Sequence, residues 1–290
     1  LSLGAAYDIM DRVSIGAAFN LVKSDVDTIR AREVTGTNNV DVEGRSWIKV
    51  SGWHPALGVG ITGEVAPEKV WIGFSYQARP GFGEMQLEGE LSNNYGGAPT
   101  VDKVKFLQEL PDIYRIGVRA RPHEKVEIRS FGDLTTWGEM ERQCVIPEAA
   151  DECAINADGS SDPNAADPPY LNIVRNWGTA FGVRVGGSYF VIPEVEIFLG
   201  AGYDSNAVPD ETLEPALTDF HKASLAGGLR MMAGETFAGA LSYTHLFYVP
   251  RDTTGESIFP LLESPSKTPD SGGEYTQTIG VINANVQLSF

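Results

Sequence analysis

The feature that most constrains this chain is an alternation of apolar and polar residues, period two, that returns along nearly its whole length. In the closing stretch VINANVQLSF (281–290), Ile282, Ala284, Val286, Leu288 and Phe290 alternate with Asn283, Asn285, Gln287 and Ser289. RVSIGAAFNL (12–21), KVWIGFSYQ (69–77), YRIGVRAR (114–121), VEIFLGAGYD (195–204) and KASLAGGLRM (222–231) repeat it. Period two sends alternate side chains to opposite faces of an extended strand. About eleven strands follow, at 1–9, 12–23, 44–65, 69–90, 111–121, 125–139, 177–191, 195–206, 220–232, 236–249 and 276–290, with no convincing amphipathic helix between them.

Composition narrows the field. With 42% hydrophobic residues among 290, the chain is too apolar to stay disordered. A net charge of −17 argues against DNA or RNA, which want a basic face. No run approaches the roughly 18 apolar residues of a membrane helix. The first residue is not Met and no signal peptide is visible, so a processed chain or a fragment is expected. Cys144 and Cys153 sit in one polar stretch with no partner set for zinc. A local disulfide in an oxidising compartment is expected, two free thiols being the alternative.

The connections are sorted by length. Those at 10–11, 66–68, 122–124, 193–194 and 233–235 are tight. Those at 24–43, 91–110, 140–176, 207–219 and 250–275 are long, polar and rich in Gly, Asn, Asp and Pro. Short turns at one end and long loops at the other mark an outer-membrane barrel, with lipid outside and a polar lumen within. A soluble sandwich or lipocalin-like barrel has no reason to sort its loops this way. The terminal Phe290 resembles the aromatic end of bacterial outer-membrane barrels, where it would join an interfacial girdle with Tyr7, Tyr189, Tyr203, Tyr243 and Phe247. The expected fold is therefore all-β, one antiparallel transmembrane barrel domain over 1–290, multi-pass in the bacterial outer membrane and bounded by its lipid. An odd strand count with the short turns on the periplasmic side leads to a further expectation: these residues are the C-terminal part of a larger barrel, with 1–9 and 276–290 as the edges of an open sheet.

Particular stretches resemble the long-chain fatty acid outer-membrane transporters of the FadL/TodX/OmpP1 type. In 42–91 they are Glu43, Gly44 and Trp47, then Gly73, Ser75, Tyr76, Leu87 and Gly89. LPDIYRIG (110–117) continues the series, and the Asn-Trp start, Gly-Tyr-Asp and Val-Pro-Asp pieces of 176–228 complete it. The resemblance implies about 11 of an expected 14 strands, with the N-terminal hatch and the first strands lacking. It implies passive, monomeric, cofactor-free uptake of a hydrophobic small molecule, a long-chain fatty acid or related hydrocarbon. A general diffusion porin, and then a structural or adhesion barrel, are the alternatives.

The same resemblance places an apolar landing groove between 24–43 and 91–110, near Trp47, Trp53, Phe82, Phe106 and Leu107. By alternation Trp71, Phe131, Trp137, Phe190 and Phe198 face the lumen, where they either line a substrate pocket or fill a packed core. Arg119, Arg184 and Arg230 also face inward, toward a substrate carboxylate or toward Glu127, Asp133 and Glu196. Leu199 and Leu229 face lipid, while Ser at Gly200 or Gly228 should be tolerated unless the lumen is tightly packed. His54, His123, His221 and His245 lie in no Ser, Cys or metal motif, so no enzyme is expected. NADGSSD (156–162) lacks the full calcium-loop pattern and reads as a solvated loop, so no metal is expected.

Overall fold

The computed structural model describes residues 1–33, 43–94, 97–234, 236–261 and 270–289. Residues 34–42, 95–96 and 262–269 of the long connections, with Glu235 and Phe290, lie outside the described residues. The strands are β1 (Ser2–Met10), β2 (Val13–Glu33), β3 (Glu43–Ala66), β4 (Val70–Gln77), β5 (Met85–Asn94), β6 (Thr100–Gln108), β7 (Ile113–His123), β8 (Val126–Thr135) and β9 (Arg142–Pro147). They continue as β10 (Leu171–Val174), β11 (Ala180–Ile192), β12 (Val195–Asp204), β13 (Lys222–Ala233), β14 (Phe237–Tyr248), β15 (Arg251–Asp252), β16 (Glu274–Tyr275) and β17 (Thr278–Leu288).

Eleven strands make one antiparallel wall in the order β1-β2-β3-β4-β7-β8-β11-β12-β13-β14-β17. Among the described residues β1 pairs only with β2, and β17 only with β14. The wall has its oil on the outside. Phe19, Val59, Phe74, Ile116, Val185, Leu199 and Leu241 all stand exposed on the same face. Cross-strand register keeps that face continuous, as in Ile61↔Phe74, Phe74↔Ile116 and Leu199↔Gly227. A contiguous apolar exterior of this size is stable against hydrocarbon and not against water. Tyr7, Tyr189, Tyr203, Tyr243 and Phe247 are exposed on it.

A second sheet grows from the first. β3 has 24 residues, more than twice the 9–11 or so that a tilted strand needs to span a bilayer. Its lower half pairs with β4 and its upper half, Arg45–Ser51, with β5. β6, β9 and β10 follow in order. This cap has an ordinary core: Ile48, Val50, Met85, Leu87, Leu91, Val104, Phe106 and Val145 are buried together, with Val26, Leu110 and Leu171 against them. On its other face Leu107, Cys144, Ile146 and Ala150 form a smaller cluster with Cys153.

The cap corrects several expected boundaries. The loop at 24–43 is largely strand, since β2 runs on to Glu33 in unbroken register with β3. Val26 is its one apolar residue packed on the cap core, among Ser24, Asp25, Asp27 and Thr28, so a strand standing in water has the polarity of a loop. The loops at 91–110 and 140–176 hold β6, β9 and β10 for the same reason. The single strand expected at 69–90 is two, β4 and β5. Pro80 lacks the N–H a ladder needs, and Gly81 turns the chain at φ +78.

Candidate functional site

The lower lumen is organised by one carboxylate. β8 turns Glu127 inward, and β7 brings Arg119 and Arg121 beside it. Glu127 is 1% exposed. It accepts from Arg119 Nη2 at 2.7 Å and Arg129 Nε at 2.5 Å, and pairs with Arg121 Nε at 3.0 Å. Three cations around one anion leave a local surplus of positive charge and give the buried carboxylate its partners. The arginines also cover rings: Arg119 lies 4.8 Å from the Trp71 centroid, and Arg121 lies 6.0 Å from that of Phe190. Arg121 and Arg129 were missed as site residues, although alternation sets both on the same face as Arg119.

Higher on the wall Arg184 sits between Asp133 at 3.0 Å and Asp204 at 2.5 Å, with its guanidinium 5.3 Å from the Phe131 ring. Arg230 approaches Glu196 at 3.9 Å. All three expected carboxylate-binding arginines therefore have acidic partners in the wall itself. Phe198 lies on bare backbone: a Cβ at Gly228 would fall 2.4 Å from its ring and 2.6 Å from the Leu241 carbonyl oxygen. Ser at Gly228 is not accommodated, since the lumen is tightly packed there, whereas at Gly200 the nearest atom is an ordinary 3.5 Å away. The inner face of β1–β4 carries Gly4, Ala6, Gly16, Ala18, Gly58 and Gly60 along a cavity of about 1000 Å³ that Arg115 of β7 also lines.

The expected landing-groove residues are dispersed. Trp53 and Phe82 are exposed near the base of the cap, and Trp47 is exposed higher on it, where its Nε1 donates to Asp27 at 2.7 Å. Phe106 and Leu107 are buried, 6% and 1% exposed, on opposite faces of the cap sheet. They build its two clusters instead of lining a groove, because β6 is an interior strand with both faces covered. Cys144 and Cys153 form a disulfide that holds the connection over β9 onto the second cluster. Trp137 leaves the lumen row at the top of β8 and meets Trp177 edge to face, at 5.1 Å.

Two ion networks fix the rim. Arg79 donates to Asp112 through its backbone amide (2.9 Å) and Nη2 (2.8 Å), and its Nη1 reaches Glu109 and Glu139 at 2.9 and 2.8 Å. Glu139 and Asp112 hold this guanidinium above its ordinary range. Burial alone would raise Asp112, but Arg79 and the Tyr76 hydroxyl outweigh it and hold its carboxyl below the usual range. In the cap, Arg175 pairs with Glu214 at 2.9 Å, and Glu214 with Arg30 at 2.7 Å. Burial pushes Arg175 below its ordinary value, against the pull of Glu214. No group of three or more metal-ligating side chains occurs among the described residues.

No family model and no curated protein sequence matches the chain. Solved structures do. A Pseudomonas aeruginosa FadL homologue superposes with a TM-score of 0.69 at 14% identity, over 98% of this chain and 65% of its own. The Ralstonia pickettii toluene transporter TbuX matches with 0.61 at 16% identity, over 98% and 66%. The CymD monoaromatic hydrocarbon channel matches with 0.60 at 14%, over 86% and 68%. The chain spans about two thirds of the length of these relatives in structure. The inside-out wall, the cap on β3 and these superpositions agree: the chain has the fold of the FadL-type outer-membrane β-barrels.

Proposed function

We propose that this chain forms most of an outer-membrane channel, acting as a monomer, through which hydrophobic small molecules diffuse passively, and that long-chain fatty acids are its substrates. The observation that carries the reading is the pairing of lumen rings with arginines, Trp71 with Arg119, Phe190 with Arg121 and Phe131 with Arg184. Around Glu127, where Arg119, Arg121 and Arg129 face one carboxylate, the wall offers apolar area and surplus positive charge side by side, which suits a chain bearing a carboxylate. The cavity along β1–β4 supplies room. The solved relatives whose names specify toluene or monoaromatic hydrocarbons support the hydrophobic class. The reading assigns no catalysis, since the four His lie in no nucleophile or metal arrangement.

A general diffusion porin is the second reading. Opposed charges facing the lumen, Arg184 against Asp133 and Asp204, favour it. Uptake of a labelled long-chain fatty acid, toluene and a small sugar should be compared in cells carrying the full-length protein. Accumulation of the fatty acid above the other two supports the first reading. Equal entry of the sugar would replace it with the second.

A further inference from the structure

We propose that the arginines around Glu127 form an outlet site that holds the carboxylate head of an aliphatic acid, with Glu127 as the positioning residue that assembles it. The assignment deepens the reading above and rests on it for the ligand's tail alone. Trp71, Glu127 and Phe190 each lie three residues from the tight turns at 66–68, 122–124 and 193–194. That is the short-turn end of the wall, the periplasmic end in barrels of this class.

Two features set the cluster apart from an ordinary ion pair. The first is its stoichiometry. Arg119, Arg121 and Arg129 have no acidic partner but Glu127 among the described residues. Their side chains are 43%, 42% and 64% exposed against 1% for Glu127, so the acid lies behind its partners and the guanidiniums meet the lumen. The second is an unmade hydrogen bond. Arg119 gives Glu127 its Nη2, while its Nε–H is buried with no acceptor among the described residues. A charged donor left unpaired is unfavourable, and a solute oxyanion is the acceptor it lacks.

Charge and shape decide the ligand class. Positive charge remains after Glu127 is matched, so a second carboxylate is attracted, a cation is repelled, and a neutral solute leaves the donor unpaired. The half-buried rings of Trp71 and Phe190 stand beside Arg119 and Arg121 and offer an aliphatic tail its apolar contact. Arg184 has no such surplus, since it is divided between Asp133 and Asp204. Glu127 does not touch the ligand. It gathers guanidiniums that would otherwise repel one another.

The test is calorimetric titration of the purified full-length protein in detergent with octanoate, octanol and octylammonium. Octanoate should bind saturably and the other two should not. Arg119→Lys keeps the charge and loses the Nε–H, and should raise the half-saturating octanoate concentration about tenfold or more. Glu127→Gln separates two roles by sign. Removing a mere competing anion would tighten octanoate binding, whereas removing a positioning residue should weaken it in spite of the added positive charge. Arg129→Gln should weaken it too, and serves if Glu127→Gln loses the heat-modifiable band of a folded barrel. Lys103→Gln, on the exposed surface of the cap, should leave binding unchanged. Octanol or octylammonium binding as octanoate does, indifference to Arg119→Lys, or tighter binding in Glu127→Gln overturns the assignment. The readout is binding, so a failure of fatty acid uptake in cells overturns the transport reading alone.

Discussion

The wall and the cap are built from the same kind of strand by opposite rules. In the wall Leu199 is 69% exposed, and in the cap Leu87 is fully buried. Nearly all the buried hydrophobic residues of the described chain lie in the cap and the upper connections, while the wall contributes Ala56 alone. The wall's apolar side chains have no protein partner facing them because lipid is the partner. The cap stands in water and must supply its own interior. The same period-two pattern is thus read inside out below the rim and outside in above it.

The sharpest break of this comparison is one substitution in two places. Leu87→Ala removes packing from a closed core and should cost about 2–5 kcal/mol. Leu199→Ala should change little, because acyl chains fill the space. Urea titrations of the reconstituted protein, following a probe in the cap and one in the wall, should show the cap transition moving only for Leu87→Ala. Equal losses at both sites would mean that the wall carries a protein-packed core.

The opposite change inverts the ranking. Leu199→Arg or Leu229→Arg sets a charge on the lipid face, at about 2–4 kcal/mol near the midplane. The heat-modifiable band on a cold gel should be lost or weakened. An Arg at Lys49, on the cap's exposed outer row, should leave it unchanged. Normal assembly of both Leu variants would reverse the faces assigned to the wall.

The wall was legible in the sequence and the cap was not, for one physical reason. Against lipid the contrast between faces is extreme, so VEIFLGAGYD and KASLAGGLRM announce themselves. In water the contrast shrinks. β2 beyond Lys23 shows Ser24, Asp25, Asp27 and Thr28 around the core-packed Val26, and it reads as a loop. Phe106 and Leu107 were legible as apolar. Their burial depends on β9, which pairs with β6 only after a separation of more than thirty residues. The inward turn of Arg119, Arg184 and Arg230 followed from alternation, but the choice between substrate and acidic neighbour needed distances. Gly228 shows the limit most plainly, since nothing in its strand reports a ring from the neighbouring strand lying on it.

The disulfide separates the two regions by mechanism. Cys144 and Cys153 are nine residues apart, and closing so short a loop stabilises by about 2–3 kcal/mol in the chain-entropy account. All of it should accrue to the cap. Cys144→Ser with Cys153→Ser should make the segment between β9 and β10 susceptible to added protease, while the wall keeps its heat-modifiable band. Loss of the band would show that the wall depends on the cap.

The smallest expected effect lies where the two regions join. Arg79 ties the end of β4 to Asp112, which precedes β7, and to Glu139, which follows β8. The folded carboxyls of Asp112 and Glu139 both lie below their ordinary values. A depressed acid contributes stability that is fully present above its unfolded pKa, about 4, and is lost as pH falls through the folded value. Glu84 runs the other way, raised by burial and then by Glu109, so it recovers stability as pH falls. Two depressed acids against one raised one leave a net loss below about pH 4. It should be no more than about 1 kcal/mol, because Glu139 is well exposed to solvent and salt. Amide exchange at 109–112, corrected for its intrinsic pH dependence, should quicken between pH 5 and pH 3 in the wild type. In Arg79→Gln the exchange should be fast already at pH 7 and should gain little more on acidification. An unchanged pH dependence in that variant would mean that Arg79 does not hold the junction.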